Sequence, residues 1–110
     1  MKKRYITYQG KKFILKRLPF VFTNHPELKS VDQIGNFFSH TYLETIQFQN
    51  TGLRSMEWIE NFPNLSHLTL WHNEIEKIES LGELQLYALN LKDNNISSMA
   101  PLKQLEGDEG

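Results

Sequence analysis

From residue 43 onward, the apolar positions fall into one pattern that occurs three times. The copies begin at Leu43, Leu65 and Leu86, which are 22 and 21 residues apart. Three residues after its start, each copy has two inward apolar residues around one polar residue, as in Leu-Thr-Leu at 68–70, an alternation typical of a short strand. Apolar residues then follow at every third position, the spacing of a 3₁₀-like return segment. The pattern predicts three units whose apolar sides cover one another.

The residue at the bend of each unit extends the pattern. Asn73 and Asn94 stand where the second and third strands must turn, and Thr51 replaces them in the first copy. A side-chain amide at a bend can bond backbone groups that have lost their partners. The copies therefore resemble the leucine-rich repeat, LxxLxLxxNxI followed by IxxLxxL, over residues 43–105. Their spacing is similar to the short 21–22-residue subclass found in regulatory subunits of protein phosphatase 1 and in bacterial internalins.

This resemblance implies a fold class and a type of function. The fold is an α+β repeat solenoid, in which leucine-rich repeats form a parallel concave sheet behind an N-terminal cap. The family mostly binds other proteins, usually through the strand side chains that line the concave face.

Two β-rich segments near the N-terminus predict a hairpin. They cover residues 5–8 and 13–16, and Gly10 between them can supply the positive φ of a tight turn. The segment 18–22 adds a further strand, which Pro19 confines to a sheet edge.

A helix is predicted to complete the cap. Ser30 and Gln33 form a capping-box pattern, with Val31 and Ile34 on one face of the helix that it opens. The same apolar positions also fit the return half of a degenerate copy before residue 43. The prediction is a single compact domain, whose parts are listed by range: the cap 1–42, three leucine-rich repeats 43–105 and a flexible acidic tail 106–110.

Composition narrows the function. The chain has 110 residues, which suits one domain, and no cysteine, which excludes a disulfide framework and thiolate chemistry and favours a cytoplasmic location. No apolar run is long enough to cross a membrane. The histidines follow no metal-ligand spacing, and no phosphate loop, nucleophile elbow or carboxylate pair occurs. We therefore expect a protein that is not an enzyme and that has no metal or other cofactor.

Charge is distributed unevenly. Residues 1–26 hold seven basic residues and no acidic residue, whereas residues 27–110 hold five basic and thirteen acidic residues. The basic residues of segment 1–26 can protect the strand edges of the hairpin. Alternatively, this segment can bind nucleic acid, with Tyr5, Tyr8 and Phe13 as stacking platforms. The residues of this alternative nucleic-acid site are Lys11, Lys12, Lys16 and Arg17.

The outward positions of the predicted strands indicate a protein-binding site. They are polar, almost uncharged and centred on Trp71, which falls in one row with Gln49 and Lys92. Exposed tryptophan is common in binding hot spots, although the ring can also pack on its own sheet, between the Lys92 stem and the Gln49 amide. The predicted partner-binding residues are Gln47, Gln49, His67, Thr69, Trp71, His72, Asn90 and Lys92. An open edge at strand 88–92 makes a homo-oligomer a further alternative.

Overall fold

The structure is a computed structural model that describes residues 4–15, 19–82 and 84–97. It contains six β-strands and three short 3₁₀ helices in the described residues. The strands are β1 (Tyr5–Tyr8), β2 (Lys11–Ile14), β3 (Phe20–His25), β4 (Thr45–Thr51), β5 (His67–Thr69) and β6 (Ala88–Asn90). The 3₁₀ helices are Val31–Gln33, Phe37–Ser39 and Glu57–Asn61.

The first two strands form an antiparallel hairpin, as the sequence predicts. They pair from Tyr5 with Ile14 to Tyr8 with Lys11. The turn needs two residues with positive φ, Gln9 at 50° and Gly10 at 79°. The second strand begins two residues before the predicted segment, because this short turn brings Lys11 directly opposite Tyr8.

The other four strands form a parallel sheet in the order β3-β4-β5-β6. Inward residues align across it, since Phe20 pairs with Ile46, Ile46 with Leu68, and Leu68 with Leu89. β3 lies at a sheet edge, as predicted from Pro19, but it spans residues 20–25 instead of 18–22 and belongs to the parallel sheet instead of a separate cap. The core behind β3 and β4 is rich in phenylalanine, with Phe20 and Phe37 centred 5.3 Å apart.

The fold-class prediction, an α+β repeat solenoid of leucine-rich repeats behind a helical cap, is wrong. The described residues form a small α/β-type structure, with a two-stranded antiparallel sheet, a four-stranded parallel sheet and almost no helix. Of the predicted return segments, the one after β4 contains a 3₁₀ helix, whereas residues 70–82 and 84–87 contain neither helix nor strand. Ile75, Ile78 and Leu81 are nevertheless buried. Their spacing of three residues therefore reports burial and does not require a helix.

The predicted cap helix is replaced by two single 3₁₀ turns. The capping box forms: the Ser30 hydroxyl accepts from the Asp32 N–H at 3.2 Å, and the Gln33 side-chain oxygen accepts from the Ser30 N–H at 3.0 Å. The chain then leaves the helical path at Gly35, whose backbone exchanges two hydrogen bonds with Thr7 of β1, at 2.8 and 3.0 Å. Asn36 follows with a left-handed φ of 66°. Pairing with the hairpin thus replaces the hydrogen bonds that would continue a helix.

The predicted division into cap, repeats and tail remains a prediction. The pairing of β3 with β4 joins residues on the two sides of position 42 in one sheet. The third copy is described as far as residue 97, and the tail 106–110 lies outside the described residues.

Candidate functional site

Mostly polar side chains cover the side of the parallel sheet that faces away from the core, with the exposed Val21 of β3 beside Gln47. Gln47 pairs with Thr69, and Thr69 pairs with Asn90, so these three lie in one row across β4, β5 and β6. Thr45, His67 and Ala88 form the row before it. The row that the sequence predicts from residues 47, 69 and 90 is therefore confirmed. We call this side of the sheet, with the row that follows, the outer strand face.

A third row lies just past the ends of β5 and β6. The Asn50 N–H donates to the Trp71 carbonyl at 3.1 Å, and the His72 N–H donates to the Lys92 carbonyl at 3.0 Å. These bonds continue the parallel ladder and bring Gln49, Trp71 and Lys92 side by side, as the sequence predicts. β3 extends the row with Thr23, which pairs with Gln49. Sequence reasoning missed Thr23 because it assigned β3 to a cap.

Trp71 is the exposed tryptophan of the outer strand face. Its side chain is 39% exposed, and its ring centroid lies 5.5 Å from that of His72 at an angle of 39°. Among the described residues its indole N–H has no hydrogen-bond acceptor. Trp58, by contrast, is buried against Phe48 and donates its indole N–H to the Ser55 carbonyl at 2.9 Å. Trp71 thus retains a free donor and a partly open ring.

A second aromatic pair lies at the opposite end of the outer strand face. The rings of His67 and Tyr87 are 5.9 Å apart, and Tyr87 is 86% exposed. Sequence reasoning missed Tyr87 because it immediately precedes β6, where strand alternation does not assign a side. Between this pair and Trp71 lies a shallow depression of about 290 Å³. Its polar lining residues are Thr45, Gln47, His67, Thr69 and Asn90.

Side-chain amides hold the strand ends in position beneath Trp71. The Asn73 amide donates to the Phe48 carbonyl at 2.9 Å and accepts from the Leu53 N–H at 3.2 Å. The Asn94 amide donates to the Leu70 carbonyl at 2.8 Å and accepts from the Ile75 N–H of the preceding copy at 2.9 Å. The predicted role of the two asparagines at the bends is confirmed.

The residue after Trp71 turns the chain away from the sheet. His72 has a φ of 59°, and the equivalent Asn50 and Asp93 have φ values of 55° and 63°. The His72 ring also bonds the Asp93 carboxylate, so this predicted binding residue already has a partner within the chain. Lys92, in comparison, takes part in none of the salt bridges among the described residues.

The predicted nucleic-acid site is described only in part. Lys11 and Lys12 are exposed on β2, whereas Lys16 and Arg17 lie outside the described residues. The Lys12 ammonium covers one face of the Tyr5 ring, 4.4 Å from its centroid. Tyr8 is buried and donates its hydroxyl to Glu27 at 2.9 Å.

Tyr8 also shows the effect of its surroundings on ionisation. Burial and the neighbouring Glu27 carboxylate raise the pKa of the Tyr8 hydroxyl to about 12.

Of the three predicted stacking platforms, Phe13 is the one whose ring is open to solvent, at 42% exposure.

The edges of the parallel sheet differ in how they are covered. β3 has the hairpin beside it, and the Tyr8 ring lies 5.0 Å from Phe22. β6 pairs with β5 and with no further strand among the described residues. The predicted open edge at 88–92 is consistent with this order, but pairing through it stays a prediction.

No group of three or more His, Cys, Asp or Glu residues that could hold a metal ion occurs in ranges 4–15, 19–82 and 84–97. Within the same ranges, no helix is long and apolar enough to cross a membrane. Comparison with known proteins adds no family, because no protein-family model and no curated protein matches the chain.

Proposed function

We propose that this chain is a non-enzymatic protein-binding module whose outer strand face, centred on Trp71, binds a protein partner. One observation carries the proposal: a partly exposed tryptophan with an unbonded N–H lies in a polar and almost uncharged face. Tryptophan at such a position buries a large apolar area and orients the partner through its N–H group, which is why it is frequent in hot spots. A cytoplasmic location fits the absence of cysteine from all 110 residues.

The remainder of the face suits contact with a protein backbone. Gln47 accepts a hydrogen bond from Gln49 at 3.3 Å through its side-chain oxygen, so its own amide N–H groups stay available. Asn90 accepts from the Lys92 N–H at 2.9 Å in the same way. Free donors therefore flank Thr69, and Tyr87 adds aromatic area at the far end. The partner would supply carbonyl or carboxylate acceptors to these amides.

The test is affinity capture with the intact chain and two matched variants. Trp71→Ala removes the proposed anchor, and Phe38→Ala removes a ring of similar exposure, 40%, that packs against Phe37 and Phe62. We expect Trp71→Ala to weaken binding of the captured partner about 30-fold or more, as the loss of a hot-spot residue worth ~2 kcal/mol requires. Phe38→Ala should bind normally.

Two results would count against the proposal. The first is a folded Trp71→Ala variant, judged by its urea midpoint, that captures the same partner as strongly as the intact chain. The second is an equal loss of capture in the Phe38→Ala variant, which would place the binding surface elsewhere.

A further inference from the structure

The geometry points to a second binding surface: the free edge of β2 accepts an acidic, extended polypeptide segment as a third strand of the hairpin sheet. This surface belongs to the antiparallel sheet and is independent of the outer strand face. β2 pairs with β1 and with no other strand among the described residues. Such an edge carries unpaired N–H and C=O groups that can pair with another chain.

The hydrogen-bond register identifies the groups on this edge. The Leu15 N–H donates to the Arg4 carbonyl at 2.8 Å, so residues 4 and 15 form a hydrogen-bonded pair. Facing pairs in an antiparallel ladder alternate between bonded and non-bonded, which makes Phe13 opposite Ile6 the next bonded pair. Lys12 and Ile14 therefore direct their N–H and C=O groups away from β1. These groups form the free edge.

The opposite edge of the hairpin is already occupied. Thr7 of β1 exchanges two backbone hydrogen bonds with Gly35, and Ile6 and Tyr8 are buried. All four residues of β2, in contrast, are exposed. Among the described residues, only the β2 edge of this sheet is open to a further strand.

The side chains of β2 offer apolar contact on both faces of the hairpin. Phe13 is 42% exposed and Ile14 is 44% exposed. Successive side chains of a strand point to opposite faces, so a third strand would meet Phe13 on one face and Ile14 on the other. An added strand gains affinity from the backbone ladder and selectivity from alternating side-chain contacts.

The positive charge around the hairpin favours an acidic partner strand at the β2 edge. Residues 1–26 contain seven basic residues and no acidic residue. Lys12 lies over Tyr5 and Arg4 lies 4.5 Å from the Tyr42 ring centroid, contacts that leave both charges intact. None of the salt bridges among the described residues neutralises them. A second copy of β2 would place lysines against lysines, whereas an acidic strand is attracted.

The experiment uses a short labelled peptide in which glutamate alternates with valine. Its affinity for the full chain is measured by fluorescence anisotropy at several salt concentrations. Two control peptides are matched to it: one has lysine in place of glutamate, and one is N-methylated along the pairing edge. We expect salt-dependent binding of the acidic peptide, no binding of the lysine peptide, and a loss of about tenfold or more on N-methylation.

Substitutions of Ile14 test the free edge of β2 by changing the protein instead of the peptide. Ile14→Pro removes a free N–H and no bond to β1, and edge strands tolerate proline. We expect about fivefold to tenfold weaker peptide binding, the effect of one hydrogen bond. Ile14→Val keeps the N–H group and should bind the peptide normally.

Hydrogen exchange measures backbone pairing between β2 and the peptide directly and needs no variant. Adding the acidic peptide to the intact chain should slow exchange of the Lys12 and Ile14 amides. Equal binding of the N-methylated peptide, or unchanged exchange at both amides, would refute the inference. So would tighter binding of a single-stranded oligonucleotide at the same edge, or a dimer in light scattering that is lost in Ile14→Pro.

Discussion

The close contact between the hairpin and the segment after the first 3₁₀ turn allows a quantitative test at Gly35. Its φ does not lie in the left-handed region, so alanine would be acceptable to the backbone, and only space limits it. An alanine Cβ at this position would lie 2.1 Å from Thr7 Oγ1, far inside contact distance. Gly35→Ala must therefore turn the Thr7 side chain or separate the two segments.

The expected cost follows from these contacts. Separation weakens the two backbone hydrogen bonds between Thr7 and Gly35, each worth about 1 kcal/mol. Overpacking of this kind costs about 1–3 kcal/mol, and the reduced freedom of alanine in the unfolded chain returns about 0.4–1 kcal/mol. We expect a net loss of about 2–3 kcal/mol in the free energy of unfolding.

A double-mutant cycle isolates the contact. In Thr7→Ala combined with Gly35→Ala the Oγ1 atom is gone, and the nearest atom is the Cβ at residue 7, an ordinary 3.5 Å away. The combination should recover about 1–2 kcal/mol relative to additivity. Urea unfolding followed by the fluorescence of the two tryptophans measures all four proteins. A Gly35→Ala variant as stable as the parent, or strictly additive effects, would refute the steric argument.

Three further outcomes are expected. Asn73→Ala leaves a buried carbonyl and a buried N–H without partners and should cost about 2–5 kcal/mol in urea unfolding. Gly52→Ala places a Cβ 2.5 Å from the Pro26 carbonyl oxygen. Because this oxygen belongs to the backbone and cannot rotate away as a side chain can, we expect a loss of about 2–4 kcal/mol in the free energy of unfolding. A hydrogen bond from its own backbone N–H, and then one from His25, hold the pKa of Glu27 below its ordinary value of 4.5. The ionised carboxylate therefore stabilises the fold above pH 4.5, and this stabilisation is lost as pH falls through the lowered pKa.

Each of these has a matched control. The control for Asn73→Ala is Asn95→Ala, at an exposed position, which should change the free energy of unfolding by less than about 0.5 kcal/mol. Gly82→Ala meets no atom within 4 Å and should be neutral or slightly stabilising. Glu27→Gln should flatten the acid limb of a plot of urea midpoint against pH. A Glu27→Gln profile that matches the parent, or equal effects at positions 52 and 82, would contradict these assignments.

The outward rows of the parallel sheet could be predicted because strand alternation and a near-constant spacing act together. Once Leu68 and Leu89 are aligned, the positions of Thr69 and Asn90 follow without any knowledge of the remainder of the chain. The asparagine bends could be predicted for the same reason, since each side-chain amide bonds backbone groups of its own turn and of the preceding copy.

The features that sequence reasoning missed depend on distant contacts. A capping box reports only how a helix starts, and nothing near Ser30 shows that Gly35 will pair with a strand of the hairpin. β3 pairs with β4 across 26 positions, as Phe20 and Ile46 show, a spacing that differs from the 22 and 21 between the later strands. Its place in the parallel sheet is therefore set by the packing of Phe20 and Phe22 on Phe48.

The strand order of the parallel sheet has a consequence for how the protein folds. Strands β3, β4, β5 and β6 lie in space in the same order as along the chain, so every pairing closes a loop of similar length. The entropic cost of closure rises only slowly with loop length, which makes each step comparable. During synthesis, each strand after β3 would find the neighbour it pairs with already synthesised, and the sheet would grow in one direction from β3.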